Sequence, residues 1–408
     1  MLSRRTLLGA SAVMPVIGAR AARAQGRRPQ IKIGVMNDMS GPYRDVTGTG
    51  SVACVQHAVR QFSSTAFDVE VLMADHQNKP DVGASIARQW FDQDRVDVIM
   101  DVPTSSVALA VNTIAREKNR LYINTGAGSG DLTGAQCTPV TIHWAYDTYM
   151  LAKTTVPHIT KLGGDKWFFV TADYVFGHQL ARDSMRFVRE SGGKVMGEQR
   201  YAFPSTTDFS SVLLTARASG ANVIGLATPA TDTINCVKQA NEFGFGQSTK
   251  IAALLMLITD VKALGLDLGA GLFLSSTFYW DADEGKRRFT KAVQNAMPNR
   301  QPPNRIQAGC YAGALHYLKT LAAMGADKAQ DGAVVCAQMK KMPTEDDAFG
   351  KNAIRQDGLC VLPANLYQVK TPEESRGPWD LQKVVAHIPG EEAWMPQSEA
   401  GCKLASSG

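Results

Sequence analysis

The chain has 408 residues, 43 lysines and arginines against 38 acids, and a formal net charge of +5. Residues 1–24 hold four arginines and no acid, so without them the formal charge falls from +5 to +1. The remaining Lys and Arg are scattered among acids with no basic run or RNA-type aromatic motif, which excludes a nucleic-acid footprint. Seven cysteines are too few for a disulfide scaffold of this length, and the chain is too long for one core, so two lobes are expected.

Ser3-Arg4-Arg5-Thr6-Leu7-Leu8, a short apolar stretch to Ala19 and Ala22-Arg23-Ala24 form a twin-arginine signal peptide over 1–24. Export to the periplasm by the Tat route is expected. No other stretch reaches 18 apolar residues without a charge, so no further membrane segment is expected.

Apolar runs and helical periods then alternate. Strands are expected at Ile31–Val35, Val69–Ala74, Val96–Met100, Leu121–Asn124 and Thr141–Trp144, with helices at Gly48–Phe62, Asp81–Phe91 and from Thr104–Ser106 to about Lys118. A helix from Asp147 to about Leu162 leads to strands at Trp167–Thr171, Lys194–Tyr201, Asn222–Ala227, Lys250–Leu255 and Leu272–Phe278. Between these lie helices around Gln179–Ser191, Phe209–Ser219 and Thr231–Phe243. Helices at Glu284–Ala296, Gln307–Met324 and Gly332–Lys340, a strand at Leu366–Val369 and a Pro-rich tail close the chain. Two successive sets of β-α units predict an α/β fold: two doubly wound parallel-sheet lobes joined by a hinge the chain crosses several times. Crossings near Tyr146, Trp280 and Asp357-Gly358 assign 30–146 and 280–357 to one lobe, and 147–279 and 358–400 to the other.

No catalytic motif stands up. Gly48-Thr49-Gly50-Ser51-Val52-Ala53 satisfies G-x-G-x-x-A, but it begins about a dozen residues after its strand, too late for a dinucleotide turn. A nucleotide-dependent α/β enzyme is the remaining alternative on that loop. Gly128-Ser129-Gly130 has Ala127 and Asp131 where a nucleophile elbow carries glycines. The histidines, His57, His76 and His143 among them, show no metal spacing. No enzyme, cofactor or metal is therefore expected. Cys137 and Cys402 sit in turn-like contexts and are the pair expected to form a disulfide. The other five cysteines read as small core residues.

The two loops that follow Val96–Met100 and Leu121–Asn124, rich in hydroxyl and amide groups, lie where open parallel sheets bind ligands. Ile31-Lys32-Ile33-Gly34-Val35, Met39-Ser40-Gly41-Pro42-Tyr43, Asp173-Tyr174-Val175-Phe176-Gly177 and Asp208-Phe209-Ser210 are an ordered set of motifs. Together they resemble periplasmic binding proteins of the leucine/isoleucine/valine type, over nearly all of residues 30–370. The resemblance implies type I topology, a three-segment hinge, and delivery of a small solute to an inner-membrane ABC permease by a chain expected to be monomeric. Ser105 matches a serine that holds a ligand carboxylate at a helix N-terminus. Gly126 and Ala127 match loop positions facing the ligand, Phe176 an aromatic of the second lobe, and Asp232 an acid that meets an ammonium. Gly128, followed by Ser129, stands where amino-acid binders place a threonine that helps hold the ammonium. That departure, and likeness to the aromatic-acid branch, point to a benzoate or hydroxycinnamate type of acid, with branched-chain or other amino acids and amides as the alternative. Tyr43 completes the cavity, and Trp144, Tyr146, Tyr149, Phe176, Tyr279 and Trp280 are candidate ring walls.

Overall fold

The structure, a computed structural model, describes residues 28–63, 66–245 and 249–406. The expected signal peptide, 1–24, lies outside the described residues. The first half of the chain builds a sheet from β1 (Gln30–Asn37), β2 (Asp68–Asp75), β3 (Val98–Asp101), β4 (Leu121–Asn124) and β5 (Thr141–His143). Its helices are α1 (Gly48–Phe62), α2 (Pro80–Asp92) and α3 (Ser105–Lys118). All neighbours pair parallel, in the order β2-β1-β3-β4-β5. Every residue of β3 and β4 is buried. This is why the two read as short, nearly unbroken apolar runs rather than alternating ones.

After the helix α4 (Thr148–Lys161), the chain forms β6 (Lys166–Ala172), α5 (Val175–Glu190), β7 (Lys194–Tyr201), α6 (Ser210–Ala218), β8 (Val223–Ala227) and α7 (Ala230–Glu242). There follow β9 (Lys250–Ala253), α8 (Ile258–Leu264), α9 (Leu266–Gly269) and β10 (Phe273–Ser276). The helices α10 (Glu284–Val293), α11 (Arg305–Met324) and α12 (Gly332–Lys341) return to the first lobe, where α11 lies along α1 and α12 against β4. A three-stranded sheet of β11 (Thr344–Asp346), β12 (Gly350–Ile354) and β13 (Cys360–Val361) comes next. Then β14 (Ala364–Val369) and β15 (Gln382–Ile388) add antiparallel strands to the second lobe's sheet, ordered β15-β14-β10-β9-β8-β6-β7. The fold is thus the expected pair of α/β lobes.

In the first sheet β1 lies between β2 and β3, and in the second β6 lies between β7 and β8. Strand order reverses at these two places, so the loops after β1 and β3 part to opposite faces, as do those after β6 and β8. Each reversal opens a crevice at the carboxyl ends of the strands. The two crevices face each other across the hinge.

Two boundaries differ from the sequence reading. Helix α5 begins at Val175, not near Gln179. A Cβ on Gly177 would lie 2.0 Å from the Ala172 carbonyl oxygen, so glycine lets the first turn pack directly on the end of β6. The last crossing falls after Val361 rather than at Asp357-Gly358. His143 N–H donates to Gly358 O at 2.9 Å, and β13 pairs with β12, which holds 358–361 on the first lobe. The tail that was assigned with the second lobe also ends on the first. Trp394 Nε1 donates to Leu362 O, at the crossing, at 2.7 Å, and Cys402 is bonded to Cys137 of the first lobe. Cys54, Cys236, Cys310, Cys336 and Cys360 are buried and free.

Candidate functional site

The β3–α3 loop holds a cluster of left-handed residues. Asp101, Val102 and Thr104 hold φ of 77°, 58° and 76°, a region L-residues adopt at a cost of order 1–3 kcal/mol each. Interlocking bonds offset that cost. Val102 N–H donates to Met36 O at 2.9 Å, and Asp101 O accepts from Gly126 N–H at 3.2 Å. The Asp101 carboxylate accepts from Thr125 Oγ1 at 3.1 Å and is pushed up to about 6 by burial. The loop delivers Ser105 as the first residue of α3, 1% exposed, its Oγ without a protein partner.

Around Ser105 the two lobes meet. A small cavity between them is lined by Tyr43, Thr104, Ser105, the 126–128 loop, Tyr146, Tyr174, Phe176 and Leu255. Asp38 shapes the loop that carries Tyr43, accepting from Gly41 N–H at 2.7 Å and Tyr43 N–H at 3.0 Å. The Tyr43 hydroxyl meets that of Tyr174, from the second lobe, at 2.6 Å. Both hydroxyls are held protonated, burial being the largest cause and the Asp232 charge a smaller one. Tyr146 donates its hydroxyl to Gly126 O at 2.8 Å, and its own carbonyl meets His143 Nε2 at 2.8 Å. Burial pushes His143 down to about 4, so it is neutral at pH 7.

Gly128 is placed by contact. A Cβ there would lie 2.8 Å from Tyr146 Cε2 and 2.9 Å from Phe176 Cε2, inside ordinary van der Waals range. Two aromatic rings, one from the hinge and one from the second lobe, stand where a side chain would be. The cavity they leave is about 10 Å³, room for roughly one water molecule. The lobes are therefore drawn together, with the rings filling the cleft.

The structure brings Tyr43, Ser105, Gly126, Ala127, Tyr146 and Phe176 together as expected neighbours, and leaves three others out. Ser129 sits one residue past the lining, its Oγ accepting from Asp131 N–H at 3.3 Å to cap a turn. Asp232 accepts the Tyr201 hydroxyl at 2.7 Å, and burial pushes it up to about 6. Tyr279 is engaged with the tail, donating to Trp379 O and accepting from Leu381 N–H, both at 3.2 Å. Among the candidate ring walls, Trp144 is core beside His316, Tyr149 packs on Phe187, and Trp280 Nε1 donates to Trp379 O. Thr104, Tyr174 and Leu255 line the cavity without having been singled out. Tyr174 was within reach of the sequence, since it stands two residues before Phe176 in the same motif. No group of His, Cys, Asp and Glu among the described residues is arranged to hold a metal ion.

A family model described as periplasmic binding protein matches residues 30–377. A crystal structure of a periplasmic binding protein from Burkholderia mallei is 44% identical, with a TM-score of 0.88 over 92% of this chain and 99% of that one. A branched-chain amino acid ABC transporter periplasmic ligand-binding protein from Burkholderia xenovorans LB400 is 36% identical, with a TM-score of 0.82 over 92% and 100%. The Leu/Ile/Val-binding protein homolog 7 of Brucella suis biovar 1 (strain 1330) is 25% identical over 248 residues, 58% of this chain. That match spans 62% of the Brucella protein's own length.

Proposed function

The chain belongs to the periplasmic binding protein family, and on that premise we propose that it is an extracytoplasmic solute-binding protein. It closes on a small carboxylate, an aromatic acid of the benzoate or hydroxycinnamate type, and delivers it to an inner-membrane ABC permease. It acts by holding its ligand, without chemistry, and reaches the periplasm by the Tat route.

The observation that carries the ligand class is the lining of the cleft. It offers an unpartnered Ser105 hydroxyl at the start of a 14-residue helix, three tyrosines and Phe176, and no acidic side chain. A helix N-terminus with a free hydroxyl favours an anion. The aromatic rings suit a flat apolar body. Asp232 is turned to Tyr201 and Asp101, behind Gly126, to Thr125, and neither carboxylate lines the cavity to meet an ammonium. To admit a ring, Tyr146, Tyr174 and Phe176 must draw back as the lobes open. The ligand then takes the place the rings now fill, and its affinity for the closed form sets how far it shifts the equilibrium.

A branched-chain amino acid is the second reading, supported by the name of the 36% identical Burkholderia xenovorans protein. A thermal-shift screen with benzoates, cinnamates and branched-chain amino acids separates the two. Aromatic acids should raise the melting temperature. If leucine or valine does so and no aromatic acid does, the lining has been misread.

A further inference from the structure

A second small space adjoins the first, with Tyr279 and Trp280, absent from the ligand cavity, among its walls. Leu255 lines the ligand cavity, while Met256, Leu257, Phe278, Trp280, Asn304 and Arg305 are among the walls of this one, which is again about 10 Å³. Its position is the hinge. Arg305 opens α11, a helix packed in the first lobe, and its Nη1 donates to Ser275 O on β10 of the second lobe at 2.7 Å.

Arg305 is 1% exposed, and its Nε and Nη2 have no protein partner among the described residues. A guanidinium stays charged in a protein, and a buried charge without a counter-charge is strongly disfavoured. Among the described residues no carboxylate is hydrogen-bonded to it. Asp260 is the acid that acts on Arg305, but one of its oxygens accepts from Leu257 N–H at 2.8 Å and burial pushes it up to about 7, so the counter-charge it supplies is partial. The Tyr146 ring, 4.6 Å below the guanidinium, offers a cation–π contact but no net charge. Water in the cavity would satisfy hydrogen bonds and leave the charge. A monatomic anion answers both.

We infer that this cavity binds one small halide-sized anion, chloride under ordinary conditions, held by Nε and Nη2 of Arg305. Because Arg305 joins α11 to β10 across the second crossing, the anion completes the joint and stabilises the hinge in the geometry described. It is a structural ligand, separate from the transported solute.

The test uses the ligand-free protein, so its outcome does not depend on the solute. Melting temperature is followed while chloride replaces gluconate at constant ionic strength, gluconate being too large for the cavity. A saturable rise of a few degrees in chloride and in bromide is expected, flat in Arg305→Met. Crystals soaked in bromide should show an anomalous peak beside Nε and Nη2 of Arg305. Should Arg305→Met fail to fold, the wild-type salt comparison and the bromide peak decide. Equal melting in both salts overturns the site, as does density at Arg305 without anomalous signal, which marks water. A ligand carboxylate seen on Arg305 in a solute complex, erasing the chloride effect, also overturns it.

Discussion

Gly128→Ala isolates the contact on which closure turns. The new Cβ would stand 2.8 Å from Tyr146 Cε2 and 2.9 Å from Phe176 Cε2, about half an ångström inside ordinary contact. Both atoms are ring edges rather than ends of flexible chains. Tyr146 is fixed by its hydroxyl bond to Gly126 O, and Phe176 is 2% exposed. Overpacking of this kind costs about 1–3 kcal/mol. Phe176 belongs to the second lobe and Gly128 to the first, so that part of the clash exists only while the lobes are closed with the rings in the cleft, whereas Tyr146 meets Gly128 within the first lobe and hinge. The penalty should therefore fall on the ligand-free form described here, lowering its stability by about 1–3 kcal/mol. Denaturant unfolding of the ligand-free protein measures it, and far-UV circular dichroism checks the fold. The double variant with Phe176→Leu should recover part of the loss, since the pair share one space. A ligand-free stability within about 0.5 kcal/mol of wild type would refute the close approach of Gly128 to the two rings.

Ser105→Ala should weaken carboxylate binding by about 1–3 kcal/mol, because a buried anion loses a hydrogen bond, with ligand-free melting unchanged; unaltered calorimetric affinity would remove Ser105 from the site. Asp147→Asn tests a buried acid at the first crossing. Burial raises its folded value to about 7, so the protein binds this proton more tightly than the unfolded chain does. Its stabilising effect is full below about pH 4 and is lost as pH rises through about 7. Asn keeps the cap on Met150 N–H and cannot ionise, so its stability advantage should grow from near zero at pH 4 to about 1–4 kcal/mol at pH 8. Parallel stability–pH curves would contradict this. Cys402→Ser opens a loop spanning a sequence separation of 265 and should cost about 2–4 kcal/mol by denaturant unfolding, an effect that reductant reproduces in the wild type.

The strands were legible because buried parallel strands leave a mark of their own. Val98–Asp101 and Leu121–Asn124 are short, nearly unbroken apolar runs bounded by hydroxyl and glycine loops, and the loops after them prove to be the cavity floor. What failed, the Cys137–Cys402 pair excepted, were side chains claimed by a partner distant in sequence. Asp232 looks like a free acid at a helix start until Tyr201, at the end of a neighbouring strand, takes its carboxylate. Tyr279 looks like a hinge aromatic until the tail at Trp379–Leu381 folds over it. Arg305 gave no signal at all. An arginine opening a helix is ordinarily solvated, and only the return of α11 to the hinge buries it. Even Gly128 was noticed for the hydroxyl it lacks, whereas the structure shows a constraint of space: a side chain there would collide with two rings.

That correction changes how selectivity is built. The first lobe supplies the polar elements, Ser105 at a helix start and the 126–128 loop, and its strained β3–α3 loop holds them ready before any ligand arrives. The second lobe supplies Tyr174 and Phe176, which reach the site only on closure. An acid can be met by the first lobe alone, but the free energy that shuts the cleft must come from what Tyr174 and Phe176 touch. A carboxylate with no ring would satisfy Ser105 and leave Phe176 against Gly128 and Tyr174 against Tyr43 and Phe203, as they are here, with little gained by closing. A ring replaces those contacts with its own. If the proposed function holds, the cradle at Ser105 should admit acids in general and the aromatic pair should decide which of them is carried.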